Sequence, residues 1–376
     1  MKHLYMADSR LYIIIALLIG ATFTAIVIPL IVAFCRKFGY FDQPNQRKLH
    51  RVAIPRLGGL AFLPSMAMGG IITLLIYYAN TVKSPDFHIT AALMIIGASI
   101  VYLLGVLDDL LDLSANLKFV ILAVGSAMLP VCNLLIDNLY GLYGVDVLPL
   151  WVAYPLTVLV IMTIVNAINL IDGIDGLASG FAIICLTVFV YLFADLRTEV
   201  FAILSAALLG SVAMFFCFNV FGKVGRLKIF MGDAGSLILG YVLSYLAVKY
   251  MMMTEQNIYT DINPILIPYS LFIVPVFDLV RVALTRVLVG EPMFQADQRH
   301  IHHMLMRCGM SMHQALATIL AFVVVFILGN LFLSNDMEVP LTIIFFLDVS
   351  IYLLFFVVVH SLIHRKEALM RLLAEE

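Results

Sequence analysis

The chain has 376 residues, of which 63% are hydrophobic and 12% are charged, and its formal net charge is −2. Soluble globular domains have roughly half apolar and a quarter charged residues, so the composition excludes an ordinary soluble enzyme and a disordered chain. The absence of a basic excess argues against a nucleic-acid partner. Five cysteines without a C-x-x-C pair argue against a disulfide framework and a cysteine zinc site. We therefore predict an all-α polytopic membrane protein that forms one domain over residues 1–376.

Apolar runs long enough to cross a bilayer recur along the whole chain, and a membrane helix needs about 20 such residues. Such runs close as helices because hydrocarbon offers no partner to free backbone groups. A short stretch between the fourth and fifth runs, Asn138–Leu148, reads as an external hairpin. Eleven spans are predicted, at Leu11–Cys35, Leu57–Tyr78, Ala91–Leu107, Leu117–Ile136, Trp151–Ile171, Leu177–Ala194, Val200–Phe221, Ser236–Met253, Pro264–Val287, Ala315–Leu333 and Leu341–Ile363.

The basic residues orient these spans. With eleven spans, seventeen of the 22 Lys and Arg residues fall on one side and five on the other. The positive-inside rule makes the first side cytoplasmic. The N-terminus is therefore predicted outside and the C-terminus in the cytoplasm, and four polar motifs then gather on the cytoplasmic face.

The first motif is Asp108-Asp109, at the inner end of the third span, with Lys118 shortly after it. Adjacent carboxylates at a helix C-terminus face an unfavourable dipole and repel each other. An isolated pair of this kind is equally well explained as a solvated helix end. A second acidic group on the same face favours a functional interpretation.

That second motif contains Asn166, Asn169 and Asp172, spaced three residues apart, and then Asp175. The spacing predicts a polar stripe on the last turns of an apolar helix. Two amides in a membrane helix also serve as contacts between helices. Each aspartate is followed by glycine, however, and glycine lets a backbone turn or approach a ligand closely. This pattern favours a site.

The third motif, Lys228-Ile-Phe230-Met-Gly-Asp233-Ala-Gly-Ser236, lies between the seventh and eighth spans, and its Gly-Asp-Ala-Gly-Ser part directly precedes a helix. Backbone N–H groups at a helix N-terminus bind anions, and a carboxylate there can hold a cation. A simple capping turn is the alternative. Beside the other two acidic loops, this motif is interpreted as a third contributor to a metal site.

The fourth motif, Arg299-His300-Ile-His302-His303, lies in the longest internal loop. Zinc requires a tetrahedral set of N or S ligands, and no matching set is evident, so phosphate contacts or a surface turn are favoured. The first cytoplasmic loop carries a basic run that includes Arg51. Such a run sets topology or attracts anionic lipid, and it also suits a phosphorylated substrate.

In this order and on one face, these motifs resemble the polyprenyl-phosphate N-acetylhexosamine-1-phosphate transferases over nearly the whole chain. The His-Ile-His-His run is closer to the undecaprenyl-phosphate GlcNAc-1-phosphate branch than to relatives with a histidine triplet. The resemblance implies an inner-membrane enzyme that moves a sugar 1-phosphate from UDP-N-acetylhexosamine to a polyprenyl phosphate and releases UMP, starting cell-envelope polysaccharide synthesis. It implies membrane lipid as surroundings, and a homodimer is left open.

The resemblance also assigns roles to residues. Asp233 with Asn169 would bind Mg²⁺, or Mn²⁺ as an alternative, and Asp108 would deprotonate or orient the lipid phosphate. Asp109 would support the metal shell, while Asp175 and Phe230 would hold the uracil. The residues expected around the diphosphate and sugar are Lys118, catalytic Asp172, Arg299, His302, His303 and Arg51.

A transporter or ion-coupled channel is the rival interpretation, because intramembrane aspartates often mark ion paths. Asp278 and Arg281, three residues apart in the ninth span, support it, although they also suit a structural ion pair. Transporters usually place polar groups near the bilayer midplane, often with internal repeats. The gathering of polar motifs on one face therefore favours the enzyme.

Overall fold

The protein is described here by a computed structural model that covers residues 2–42, 52–81, 89–255, 262–291 and 299–372. Within these ranges the chain is mostly helical, as predicted. The α-helices are α1 Lys2–Phe38, α2 Phe62–Asn80, α3 Ile89–Leu111, α4 Ala115–Val131, α5 Leu150–Ile171, α6 Leu177–Asp195, α7 Glu199–Phe221, α8 Asp233–Glu255, α9 Leu266–Leu288, α10 Ile301–Cys308, α11 Met312–Asn335 and α12 Leu341–Leu372.

Four short strands form two antiparallel pairs. Strand β1 (Phe41–Asp42) pairs with β2 (Ile54–Pro55), and β3 (Asn138–Leu142) pairs with β4 (Val145–Val147). The second pair confirms the hairpin predicted at Asn138–Leu148. The first pair was not predicted, because two-residue strands leave no alternating pattern in a sequence.

Nine helices in the described part of the chain are long and apolar enough to cross a membrane, namely α1, α2, α3, α5, α6, α7, α8, α11 and α12. Helix α4 is a shorter apolar helix. Helix α9 coincides with the ninth predicted span and carries Asp278, Arg281 and Arg286. A multi-pass membrane protein is thus supported, whereas the number of eleven spans and their orientation stay predictions.

The chain divides into two compact units. The first comprises Met1–Asp137 and Pro149–Ile258, and the second comprises Asn138–Leu148 and Tyr259–Glu376. Each unit is described by itself. The single domain inferred from the sequence stays a prediction.

Close helix contacts hold the first unit together. Thr24 on α1 makes buried hydroxyl hydrogen bonds with Ser65 on α2 (2.8 Å) and Ser211 on α7 (2.7 Å). A Cβ atom at Gly20 would lie 2.0 Å from the carbonyl oxygen of Ala207, so α1 and α7 approach backbone to backbone. Small residues and shared hydroxyls are the usual means of helix association in lipid.

A buried polar group joins three helices of the second unit. The carboxylate of Asp348 on α12 accepts hydrogen bonds from the Tyr269 hydroxyl (2.9 Å) and from Asn330 Nδ2 (3.0 Å). The same Nδ2 donates to Ser270 Oγ at 3.0 Å. Because every partner is another side chain of α9 or α11, these contacts serve as interhelical bonds.

Candidate functional site

The end of α3 meets the start of α8 through Asp109. Its Oδ1 accepts the backbone N–H of Asp233 at 3.0 Å, and its Oδ2 accepts that of Ala234 at 2.9 Å. A carboxylate at a helix N-terminus is favoured by unpaired N–H groups and by the helix dipole. Asp109 is buried and therefore fixes the first turn of α8. Its predicted catalytic role stays a prediction.

Gly232 allows this junction to form. Its φ is +75°, a left-handed conformation that L side chains rarely adopt. A Cβ atom at this position would also lie 2.6 Å from Asp109 Oδ2. The glycine before Asp233 is therefore required both for the turn and for the approach of Asp109.

Asp108 and Asp233 share one lysine. Lys118 Nζ forms an ion pair with Asp108 Oδ2 and lies 3.6 Å from Asp233 Oδ2. The other oxygen of Asp108 accepts the Leu113 N–H at 2.9 Å. The Asp108 side chain is almost fully buried, whereas the side chains of Asp233 and Lys118 are 36% and 34% exposed. Asp233 therefore offers the accessible carboxylate of the pair.

Asn169, on the last turn of α5, completes the surroundings of Asp233. Its Nδ2 donates to Asp233 Oδ1 at 3.0 Å and to Ser236 Oγ at 2.8 Å. Because the amide nitrogen is used twice, the amide oxygen is the atom that would bind a cation. The predicted metal pair, Asn169 and Asp233, is in direct contact. In contrast, Asn166 bonds to the Met162 carbonyl of its own helix.

Asp172 follows α5 and is half-buried. Burial raises its pKa well above the ordinary value, and the carboxylates of Asp233, Asp175 and Asp109 raise it further. Because Asp233, Asp175 and Asp109 all act on it, Asp172 lies close to the other acidic side chains of this unit. We call Asp108, Asp109, Asp172 and Asp233 the acidic cluster.

The oxygen atoms that the acidic cluster and Asn169 offer as metal ligands suit magnesium better than zinc. In the described part of the chain, no three or more His, Cys, Asp or Glu side chains form a group that could hold a metal. Mg²⁺ usually takes one or two carboxylates, substrate phosphate oxygens and water. The Asp233 carboxylate and the Asn169 amide provide hard oxygen ligands of this kind. The residues therefore fit Mg²⁺.

Backbone hydrogen bonds join the segment Pro55–Gly59 to Phe230 and Met231 and fix the position of Phe230. We call these two paired segments the backbone strip. The N–H of Phe230 donates to the Pro55 carbonyl (2.8 Å), while Gly58 N–H donates to the Phe230 carbonyl (2.9 Å) and Gly59 N–H to the Met231 carbonyl (2.7 Å). Arg56 in this strip donates to the backbone carbonyl of Asp109. A cation at the C-terminus of α3 is favoured by the helix dipole.

Two other residues beside this strip are absent from the sequence-based assignment. Lys228 Nζ lies 2.5 Å from Asp175 Oδ2, and both side chains are largely buried. Asn219 on α7 accepts the Gly176 N–H (2.7 Å) and donates to the Ile229 carbonyl (2.9 Å). A lone amide at the end of an apolar helix was the available signal for Asn219. For Arg56, the signal was its position directly before Leu-Gly-Gly.

The histidine segment, Arg299–His303, belongs to the second unit and runs into the short helix α10, which the sequence had indicated only as a loop. Asp278 on α9 is fully buried and holds this segment. It is contacted by Arg281 NH2 (2.7 Å), His300 Nδ1 (2.8 Å) and the N–H of Ile301 (3.1 Å). Arg281 also donates to the Arg299 carbonyl at 2.5 Å and lies over the Phe356 ring.

Within this segment the predicted residues differ in exposure. Arg299 forms a two-pronged ion pair with Glu291 (2.8 and 2.9 Å) at the surface. His302 is 1% exposed, and its ring lies 4.2 Å from that of the half-buried His303. Burial lowers the pKa of His302 to about 3, with His303 as a further cause. His302 is therefore a neutral imidazole near pH 7.

The predicted site residues thus fall into three groups. The first unit contains Asp108, Asp109, Lys118, Asn169, Asp172, Asp175, Phe230 and Asp233. The second unit contains Arg299, His302 and His303. Arg51 lies outside the described residues. The substrate contacts expected of the last two groups stay predictions.

Comparison with known proteins agrees with the resemblance in the motifs. The family described as "Glycosyl transferase family 4" matches residues 91–251. A probable undecaprenyl-phosphate N-acetylglucosaminyl 1-phosphate transferase of Bacillus subtilis (strain 168) is 33% identical over 87% of this chain and 85% of its own length. Undecaprenyl-phosphate alpha-N-acetylglucosaminyl 1-phosphate transferases of Salmonella typhi and Yersinia pestis are 30% and 29% identical, covering 79% and 75% of this chain and 77% and 74% of their own lengths.

Proposed function

The chain belongs to glycosyl transferase family 4, and from that premise we propose that it transfers N-acetylglucosamine 1-phosphate, or a related N-acetylhexosamine 1-phosphate, from its UDP carrier to undecaprenyl phosphate. UMP and a lipid-linked diphosphate sugar are the products. The observation that carries this proposal is the acidic cluster. In it, Asp108 and Asp233 pair with Lys118, and Asp109 caps the first turn of α8.

The charges of the substrates explain why this cluster suits the reaction. An anionic lipid phosphate must approach an anionic diphosphate, and carboxylates alone would repel both. Mg²⁺ bound by Asp233 and Asn169 would supply the positive charge that brings these groups together. Lys118, one-third exposed and directed at both Asp108 and Asp233, supplies a fixed cation beside that position.

Asp108 is placed to act on the nucleophile. One of its oxygens is held by the Leu113 N–H and the other by Lys118, so its carboxylate has a defined direction. In the proposed step, Asp108 accepts or orients the proton of the lipid phosphate. The freed oxygen bonds to the phosphorus that carries the sugar, and the bond from that phosphorus to the bridging oxygen breaks. UMP leaves with the bridging oxygen.

We favour one-step attack over a covalent aspartyl intermediate. Asp109 is committed to two backbone N–H groups, and Asp108 is paired with Lys118. A carboxylate nucleophile would also have to approach the diphosphate against its own charge. Direct attack requires both substrates before UMP departs, whereas a covalent intermediate permits UMP exchange into UDP-sugar without lipid.

A single assay tests the function and the mechanism. Purified protein in detergent is incubated with Mg²⁺ and one UDP-sugar at a time, with or without undecaprenyl phosphate. UMP and lipid-linked sugar are then quantified together. We expect equimolar products with UDP-N-acetylglucosamine or a related amino sugar. When labelled UMP is added to a sample without lipid, we expect no transfer of the label into the UDP-sugar. The proposal fails if none of these sugars yields a lipid-linked product, and exchange without lipid would instead indicate the covalent route.

A further inference from the structure

A largely buried ion pair lies next to the proposed uracil contacts. Lys228 Nζ is 2.5 Å from Asp175 Oδ2, and the two side chains are only 10% and 13% exposed. Asp175 lies in the turn between α5 and α6, and Lys228 lies in the segment before α8, two residues ahead of Phe230. An ion pair largely removed from water is expensive to form unless its geometry is well supported. The structure provides that support.

Asn219 supports the ion pair between Lys228 and Asp175 by joining the two segments that carry them. Its Oδ1 accepts the N–H of Gly176, directly after Asp175, and its Nδ2 donates to the carbonyl of Ile229, directly after Lys228. The same Nδ2 lies 3.5 Å from Asp175 Oδ1. Asp175 therefore presents one oxygen that is paired with Lys228 and a second oxygen whose contact with Asn219 is long.

We propose that Lys228 determines the base preference of this enzyme by holding Asp175 as an oriented carboxylate that accepts a hydrogen bond from the imide N–H of uracil. This role deepens the proposed function and rests on it. Uracil carries a donor at N3, whereas cytosine carries an acceptor at the same ring position. A fixed carboxylate attracts the first and repels the second. Lys228 acts through Asp175 and is therefore a positioning residue.

The chemistry of the variant follows from the same argument. In Lys228→Met, Asp175 loses the cation that holds one of its oxygens, so the direction of the other oxygen is no longer fixed. Loss of Lys228 should therefore weaken the binding of uridine nucleotides more than that of cytidine nucleotides. A simple link between two loops would change the binding of both to the same extent.

The test measures binding of UMP and of CMP to the purified full-length protein by calorimetry, with parent protein, Lys228→Met, Lys228→Gln and Lys228→Arg. Lys223→Met removes an exposed lysine from the same segment and is the matched control. We expect the parent and the control to prefer UMP. In Lys228→Met the preference should fall about ten- to hundredfold, the range expected for loss of a hydrogen bond to a charged group. Lys228→Arg should keep most of it.

The outcomes distinguish failure of the role of Lys228 from failure of the proposed function. If the parent binds UMP and CMP equally, the proposed uridine-nucleotide specificity is wrong, and the role of Lys228 is wrong with it. If the parent prefers UMP and Lys228→Met keeps that preference, only the role of Lys228 is overturned. If Lys228→Met does not fold, Lys228→Gln decides instead, because its shorter side chain lacks the cation, and a preference equal to that of the parent would overturn the role of Lys228.

Discussion

The acidic cluster and the histidine segment balance their charges in opposite ways. Asp278 beside the histidine segment is fully buried, and Arg281, His300 and the start of α10 all contact it. In the acidic cluster four carboxyl groups gather, and the described cations beside them are Lys118, which pairs with Asp108 and Asp233, and Arg56, which interacts with Asp109. The chain therefore balances the charge of Asp278 itself, whereas the acidic cluster has more carboxyl groups than neighbouring cations.

This difference indicates a structural role for Asp278 and favours the acidic cluster as the place where a cation would bind. Like charges brought together disfavour their own ionisation, and burial with neighbouring carboxylates raises the pKa of Asp172. A bound cation would stabilise such an arrangement. The Asp278–Arg281 pair, which the sequence had left as support for a transporter, has instead the contacts of a structural clamp.

The largest expected effect on stability is at Asp278. Asp278→Asn leaves Arg281 and His300 without their buried anion, and breaking a buried pair costs about 3–5 kcal/mol. The apparent unfolding temperature in detergent should therefore fall clearly. Glu367→Gln, which removes the surface partner of Arg307, is the matched control and should cost about 0–1 kcal/mol. A fall no larger than that of the control would show that the clamp does not hold this unit.

Asp233→Asn should show the reverse pattern. It removes a negative charge from a crowded cluster, so the unfolding temperature should stay the same or rise. Turnover should fall about 10²–10³-fold, as expected when a group that stabilises transition-state charge is lost. Asp146→Asn, on the exposed strand β4, is the control and should leave turnover unchanged. Near-parent turnover in Asp233→Asn would make the metal assignment wrong.

Some residues of these two regions could be predicted from the sequence, whereas several of their contacts could not. Asp108, Asn169 and Asp233 could be predicted because each lies in a short motif at the end of an apolar run. The pairing of Asn169 with Asp233 bridges 64 positions, and the motifs alone already placed both on one face. The capping of α8 by Asp109 and the clamp at Asp278 could not be predicted, because they depend on backbone N–H groups more than 20 positions away.

A smaller effect on the free energy of unfolding is expected from His302 when the pH is lowered. Its folded-state pKa of about 3 lies below the unfolded value of about 6.5. Between these values the unfolded chain binds more protons, so this residue's contribution to stability is constant above pH 6.5 and is lost as the pH falls. From pH 7.5 to 5.0 the loss is about 2 kcal/mol. Unfolding of parent and His302→Gln at both pH values measures it, and an equal acid shift in both would contradict the burial of a neutral imidazole.

The orientation of the two regions can be tested by chemical labelling, independently of activity. In a cysteine-free background, single cysteines replace Lys223 and Glu291, which are exposed residues beside the acidic cluster's segment and before the histidine segment. The distribution of basic residues predicts that both positions face the cytoplasm. An impermeant thiol reagent should therefore label them in inverted vesicles and not in intact cells. Labelling of either position from outside would reverse the predicted topology.

We predict that the acidic cluster of this chain, a member of glycosyl transferase family 4, works only with a bound divalent cation. The most direct measurement is the rate of UMP release from UDP-N-acetylglucosamine, with undecaprenyl phosphate present, as Mg²⁺ is titrated from a chelated zero. We predict no release without a divalent cation, a saturable rise in the parent protein, and a strongly weakened response in Asp233→Asn. Full turnover in the chelated sample, or identical titrations for the two proteins, would contradict the account.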